Sequence, residues 1–257
     1  MAANFVIHTE EEINRIRIAA AATARVRDAI AQRTCPGMST LEVDELAAAL
    51  IAQENGRSAF LGYGGFPGHI CISVNEEVVH GIGCAERILT EDDIVSIDVG
   101  VEINGAIGDT ALTFPLRPQP SEAVDLLLKK TNEALFAGIE QAVCGNYLND
   151  ICSAIEKVAK SAKLGIVRQF VGHGTGIKLH EPPEIPNFRM ASKGPKLQKG
   201  MVLAIEPMLN LGSEKVSIDR INHWTVRTCD KSLSAHFEHT VLITDNKPEI
   251  LTWPKMM

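Results

Sequence analysis

Residues 93–114, DIVSIDVGVEINGAIGDTALTF, alternate between apolar positions and small or polar ones with a period of two, the pattern of strands with two distinct faces. Asn104-Gly105 interrupts the run, and both residues tolerate the positive φ of a type I′ hairpin turn. A two-residue turn there pairs Gly100 with Asp109 and Asp98 with Ala111. Asp98 and Asp109 then become diagonal neighbours on one face, roughly 7–8 Å apart at the backbone. Two carboxylates that close repel and raise each other's pKa unless a cation lies between them. Taken alone, the stretch is equally compatible with a solvated hairpin face carrying two harmless acids.

The periodicity shifts to that of helices on either side. Thr9 with Glu12 forms a capping-box pattern ahead of a helix over about 10–33, and Ser39 with Glu42 opens a second, closed by Gly56. Strand patterns follow at 70–74, 77–80, 94–101 and 107–114. Pro118 and Pro120 mark a break, Ser121 starts a helix reaching about 143, and another over 147–163 ends at Gly165. Strands return at 167–172, 201–206, 222–227 and 237–244. The order helix, helix, strands thus occurs twice. LTEDDIVSID at 89–98 aligns without gaps on LQKGMVLAIE at 197–206, an offset of 108 that places Asp98 on Glu206. The expected organisation is one domain over 1–257 with similar halves at about 10–117 and 118–250.

Composition narrows the class. At 45% hydrophobic and 22% charged over 257 residues, the chain can bury an ordinary globular core. A net charge of −7 argues against nucleic acid as the main partner. No apolar run approaches the ~20 residues that span a membrane, and the opening MAANFVIHTEEEINRIR lacks the pattern of a signal peptide. Six scattered cysteines without a C-x-x-C pair point to a reducing compartment, so a cytoplasmic protein is expected.

Candidate chemistry gathers on strands that otherwise read as buried. FVGHGTGIKLHEPPEIPNF (170–188) sets His173 between glycines, where the backbone can pass close to a ligand, with His180 seven residues on. MVLAIEPML (201–209) ends its apolar run at Glu206, and HFEHTVLIT (236–244) places Glu238 between His236 and His239. NEEVVHGIG (75–83) contributes His80. A lone core histidine is more often a hydrogen-bonded structural residue than a ligand. Asp98, Asp109, His173, Glu206 and Glu238 together cannot share a core as bare charges. Two divalent cations would neutralise them, and oxygen-rich ligation with one imidazole suits Mn, Fe, Co or Zn.

In combination and in order, LGYGGFP-x-x-ICISVNEEVVHGI, SIDVG-x(8)-GDT, GHGTGIKLHEPP, IEPM and SLSAHFEHT resemble the type I methionine aminopeptidases over nearly the whole chain. The resemblance implies an α+β pita-bread fold, an antiparallel sheet flanked by two pairs of helices with pseudo-two-fold halves. It implies a dinuclear metal centre: Asp109 and Glu238 bridging, Asp98 and His173 each on one ion, Glu206 both ligand and general base for a metal-bridging water. It assigns His80 to the scissile nitrogen, His180 to the oxyanion, and Tyr63, Phe66, Cys71 and Trp224 to the methionine pocket. The implied substrates are N-terminal Met residues of peptides and nascent chains with a small second residue, handled by a monomer in transient contact with the ribosome. Thr175, Leu179, Phe60 and Phe66 depart from the family's usual residues around the pocket. The Gly-rich stretch around Tyr63 would let that loop move. The resemblance is to forms expected to be without an N-terminal zinc-binding extension or the insertion of the type II enzymes. Two other readings compete: an Xaa-Pro peptidase of the same fold, and a non-catalytic relative that binds nascent chains at the ribosome.

Overall fold

The computed structural model describes residues 5–253. In the first half, helices α1 (Glu10–Arg33) and α2 (Thr40–Gln53) are followed by strands β1 (Arg57–Ser58), β2 (Cys71–Val74), β3 (Glu77–Val79), β4 (Ile94–Ile103) and β5 (Ala106–Pro115). In the second, α3 (Glu122–Gln141) and α4 (Leu148–Ser161) precede β6 (Gly165–Ile166), β7 (Gly172–Gly174), β8 (Glu181–Ile185), β9 (Val202–Ile205), β10 (Met208–Asn210), β11 (Val216–Ile218), β12 (Val226–Thr228), β13 (Ser234–His236), β14 (His239–Leu242) and β15 (Glu249–Ile250). Both expected capping boxes form: Thr9 and Ser39 accept from the amides of Glu12 and Glu42, whose carboxylates accept from Thr9 and Ser39 in return.

Asn104 and Gly105, at φ 52° and 72°, turn β4 into β5 in the register read from the sequence, with Gly100 opposite Asp109 and Asp98 opposite Ala111. β1 and β2 pair with β4, while β15-β14-β9-β7-β8 form the largest second-half sheet. β10 joins β13 and β6, and β12 joins β11 and β3. All pairings are antiparallel. α1 lies against this framework at very close range, because a Cβ on Gly108 would sit 2.3 Å from the Cα of Ala20. A helix backbone can approach a strand that closely only over glycine.

The offset of 108 recurs in the backbone. Gly37 N–H donates to Leu89 O and Gly145 N–H to Leu197 O, at 2.8 and 3.0 Å. Thr40 to Arg87 is matched by Leu148 to Pro195, and the bridge Ser39–Ile88 by Tyr147–Lys196.

Several boundaries differ from the sequence reading. The left-handed residues that end α2 and α4 are Asn55 (φ 55°) and Lys163 (φ 56°), not the glycines after them. Gly56 and Gly165 are needed for space instead, since added Cβ atoms would meet Val101 Cγ1 at 2.6 Å and Gly212 O at 2.4 Å. Of the run 167–172, residues 167–171 are a connection between two short strands, β6 and β7, and only Gly172 is in a strand. Residues 222–224 form a turn rather than a strand, because Asp219 and Asn222 side chains accept backbone N–H groups and His223 takes φ 60°. The strand expected over 237–244 begins at His239, with Phe237 and Glu238 between β13 and β14.

Candidate functional site

Asp109 reaches the site through β5, which is stitched to residues 236–240 by threonine hydroxyls. Thr240 Oγ1 donates to Asp109 O at 2.7 Å and accepts from Asp109 N–H at 3.1 Å. Thr110 Oγ1 donates to Glu238 O at 2.7 Å, and Glu238 N–H donates to Ala111 O at 3.0 Å. Thr113 bonds both the amide and the carbonyl of His236. This seam fixes Asp109 and Glu238 side by side even though 129 positions separate them. Arg27, buried in α1, donates to Thr110 Oγ1 at 2.8 Å and so braces the seam from behind.

Ligand-type atoms of Asp109, His173 and Glu238 all lie within 4.8 Å of one another. His173 Nε2 is 3.4 Å from Glu206 Oε1 and 3.8 Å from Asp109 Oδ2. Asp98 lines the same cavity and stands opposite Cys71 across β2–β4. All five acids and imidazoles singled out in the sequence therefore converge. The glycines flanking His173 serve a different purpose from the expected one. Cβ atoms on Gly172 and Gly174 would fall 2.4 and 2.5 Å from the carbonyl oxygens of Ala204 and Pro182, so they admit neighbouring strands, not a ligand.

The electrostatics fit a cation site. Burial pushes the Asp98 carboxyl up to about 7, with the Glu206 charge adding to the rise. Burial raises Asp109, Glu206 and Glu238 well above the ordinary carboxylate range; mutual repulsion adds to it for Asp109 and Glu238. Asp98 Oδ1 and Asp109 Oδ1 are buried without a hydrogen-bond partner, which a protein interior tolerates poorly. His173 Nδ1 donates to Gly174 O at 2.9 Å, leaving Nε2 as a lone pair aimed at the acids. That is the arrangement of a metal-binding histidine fixed by its other nitrogen. Burial, reinforced by His180, holds its pKa down to about 3, so the ring is neutral. The donor set thus fits divalent cations.

Above this floor lies a cavity of about 140 Å³ walled by Phe60, Tyr63, Phe66, Cys71, Leu179 and Trp224, with His80 and His180 at its sides. Phe60 owes its place to Gly100, where a Cβ would come within 2.5 Å of its ring. Phe66 meets Trp224 edge-on at 5.2 Å. His80 sits at φ 59°, an uncommon conformation for a non-glycine residue, and packs edge-on against Phe170. Its pKa is lowered to about 4, chiefly by burial. The His180 ring lies 4.3 Å from that of His173, and its Nδ1 is 2.8 Å from the Tyr63 hydroxyl. Glu181 shapes the approach to His180 by accepting from the amides of Ile177 and Lys178.

Sequence reasoning passed over His236. It is buried, with Nε2 3.2 Å from Glu206 Oε2, on the side of that carboxylate away from His173. The available signal was its spacing of two from Glu238. Arg27 carried no signal, because a cation within an amphipathic helix reads as surface.

A family model described as "Metallopeptidase family M24" matches residues 14–245. This chain belongs to that family. A methionine aminopeptidase of Clostridium acetobutylicum is 46% identical over 247 residues, 96% of this chain and 98% of that one. The crystal structure of a methionine aminopeptidase from Thermotoga maritima superposes with a TM-score of 0.93 at 39% identity, covering 96% of this chain and 99% of the other. A prolidase from Pyrococcus furiosus shares the fold at TM-score 0.77 and 24% identity, but this M24 chain spans only 66% of its length. The fold is the expected pita-bread arrangement, and the family is one of metallopeptidases.

Proposed function

We propose that this chain is a divalent-metal-dependent methionine aminopeptidase that releases the N-terminal Met of peptides and nascent chains when the second residue is small. The observation that carries the reading is the convergence of four carboxylates and one imidazole, with two buried carboxylate oxygens left without partners. Full-length relatives named methionine aminopeptidase support it.

Asp98, Asp109, His173, Glu206 and Glu238 would together hold two ions. The oxygen-rich donors admit Mn, Fe, Co or Zn, and availability decides among them. When bound, such ions supply Lewis acidity, moving the pKa of water in the cleft from ~15.7 toward ~7. Glu206 then takes a proton from the attacking water and passes it to the leaving nitrogen. His236 Nε2 lies 3.2 Å from the other oxygen of that carboxylate. With the Tyr63 hydroxyl, 2.8 Å from His180 Nδ1, as the donor, the ring proton sits on Nε2, ready to donate to the carbonyl oxygen as it becomes negative. His80, neutral at pH 7, hydrogen-bonds the scissile peptide group. Phe66, Cys71 and Trp224, with Tyr63, enclose the methionine side chain. Phe60 and Leu179 complete the wall.

In the same reading the protein acts in the cytoplasm as a monomer and single domain of two halves, meeting nascent chains at the ribosome. None of the helices among the described residues is long and apolar enough to cross a membrane. The test is Met release by chelator-stripped protein on adding back Mn, Co, Fe or Zn. Met-Ala-Ser should be cleaved far faster than peptides with Lys or Leu second. Equal rates on all three would contradict the pocket, and preferential cleavage before proline would favour the Xaa-Pro reading.

A further inference from the structure

The catalytic cavity is closed below by carboxylates and opens where Tyr63 and His180 meet solvent, with Leu179 buried beside them. The same three residues form one end of a second, larger hollow of about 760 Å³ that runs along α2 and past β1. That volume lies in the range that holds drug-sized ligands, enough for a few residues of peptide. Its floor includes Ala48, Ala52 and Ala59, side chains too small to select among residue types. Charge in it is unbalanced. Arg57 Nη2 bonds both oxygens of Glu102 at 2.7 Å, and His69 faces Asp44 at 2.9 Å. Lys178 is exposed on the wall and makes no ion pair among the described residues.

We propose that this groove receives the polypeptide downstream of the cleaved bond, and that Lys178 makes it favour acidic residues there. The inference rests on the reading that the chain releases N-terminal Met. A substrate anchored by its first residue in the closed cavity must leave past His180, and the groove shares Tyr63, Leu179 and His180 with that exit. A smaller hollow of about 380 Å³ lies on the other side of His180, but Glu181 and Glu184 line it, so it would select the opposite charge. The two exits therefore make opposite predictions.

The experiment compares kcat/KM for Met-Ala-Ser-Asp-Asp and Met-Ala-Ser-Lys-Lys, each relative to Met-Ala-Ser on the same metal-loaded preparation. An exposed charge pair predicts an acidic-to-basic ratio of about two to five at low salt. The ratio should fall toward one in ~1 M salt, where charges are screened beyond about 3 Å. It should reach one in Lys178→Ala and invert in Lys178→Glu. In Ala52→Trp, which fills the floor, the acidic extension should lose its advantage. A ratio of one in the wild type overturns the proposal. A preference for Lys-Lys also overturns it and places the chain in the hollow at Glu181 and Glu184. Failure to release Met from all three peptides overturns the aminopeptidase reading and the groove with it.

Discussion

Asp109, His173 and Glu238 are buried to within a few per cent, whereas at the rim of the same cavity Tyr63 is 46% exposed and His180 is open to solvent. The floor is held from both halves of the molecule by a seam of threonine hydroxyls. The rim is held by fewer ties: Tyr63 to His180, and Glu181 to the amides of Ile177 and Lys178 and to His8. The difference assigns two kinds of work. Buried acids repel one another unless protons or metal cations neutralise them, so the floor is fitted to bind cations. Rim side chains that reach solvent can meet a substrate and change with it.

The largest expected effect comes from breaking the floor. Asp109→Ala should lose metal and reduce Met release by at least about 10³-fold, because residues that act as a unit fail together. The metal-free variant should melt no lower than the metal-free wild type, since a buried carboxylate without a counter-ion is removed. Metal analysis and thermal unfolding on one preparation check both. His180→Ala, by contrast, should lower kcat by about 10²–10³-fold with metal content unchanged, the cost of one lost donor to the oxyanion. Lost metal in that variant would move His180 into the floor.

Next in size is a pH effect confined to the floor. Asp98 is raised to about 7 and its neighbours are raised as well. A folded-state pKa above the unfolded one means the native chain holds protons that the unfolded chain has released. Stability of the metal-free protein is therefore greatest in acid and falls as pH rises from ~4 to about 7, by roughly 1.4 kcal/mol per pH unit for each such proton. Denaturant titrations across that window should show the decline in stripped protein and its loss in metal-loaded protein. The smallest effect sharpens the rim. Tyr63→Phe keeps the ring but removes the donor to Nδ1, so kcat should fall about two- to tenfold, the scale of one hydrogen bond. Nitrogen NMR of His180 should then show a mixed tautomer instead of Nε2–H alone.

The contrast between floor and rim also marks what could be read from the sequence. The turn and register of the β4–β5 hairpin were legible to the residue, though not the strand ends, because Asn104-Gly105 leaves only one compact turn and the period of two then fixes which side chains share a face. The helices were legible from their caps. The second half was harder. Its strands are three to five residues long around the site, too short for periodicity to separate strand from turn at Trp224 or Phe237. Glycines misled in both halves: Gly56, Gly165, Gly172 and Gly174 answer to backbones that come near only after folding. The same holds for Arg27 and His236, whose partners Thr110 and Glu206 lie far along the chain.

The central claim is that the floor exists to hold cations, and a calorimetric titration of chelator-stripped protein with Mn²⁺ tests it most directly. The account predicts two ions bound per chain, a rise in melting temperature on binding, and loss of both in Asp109→Ala. Wild-type protein that takes up no metal would contradict it, and the reading as a nascent-chain binding protein would then take its place.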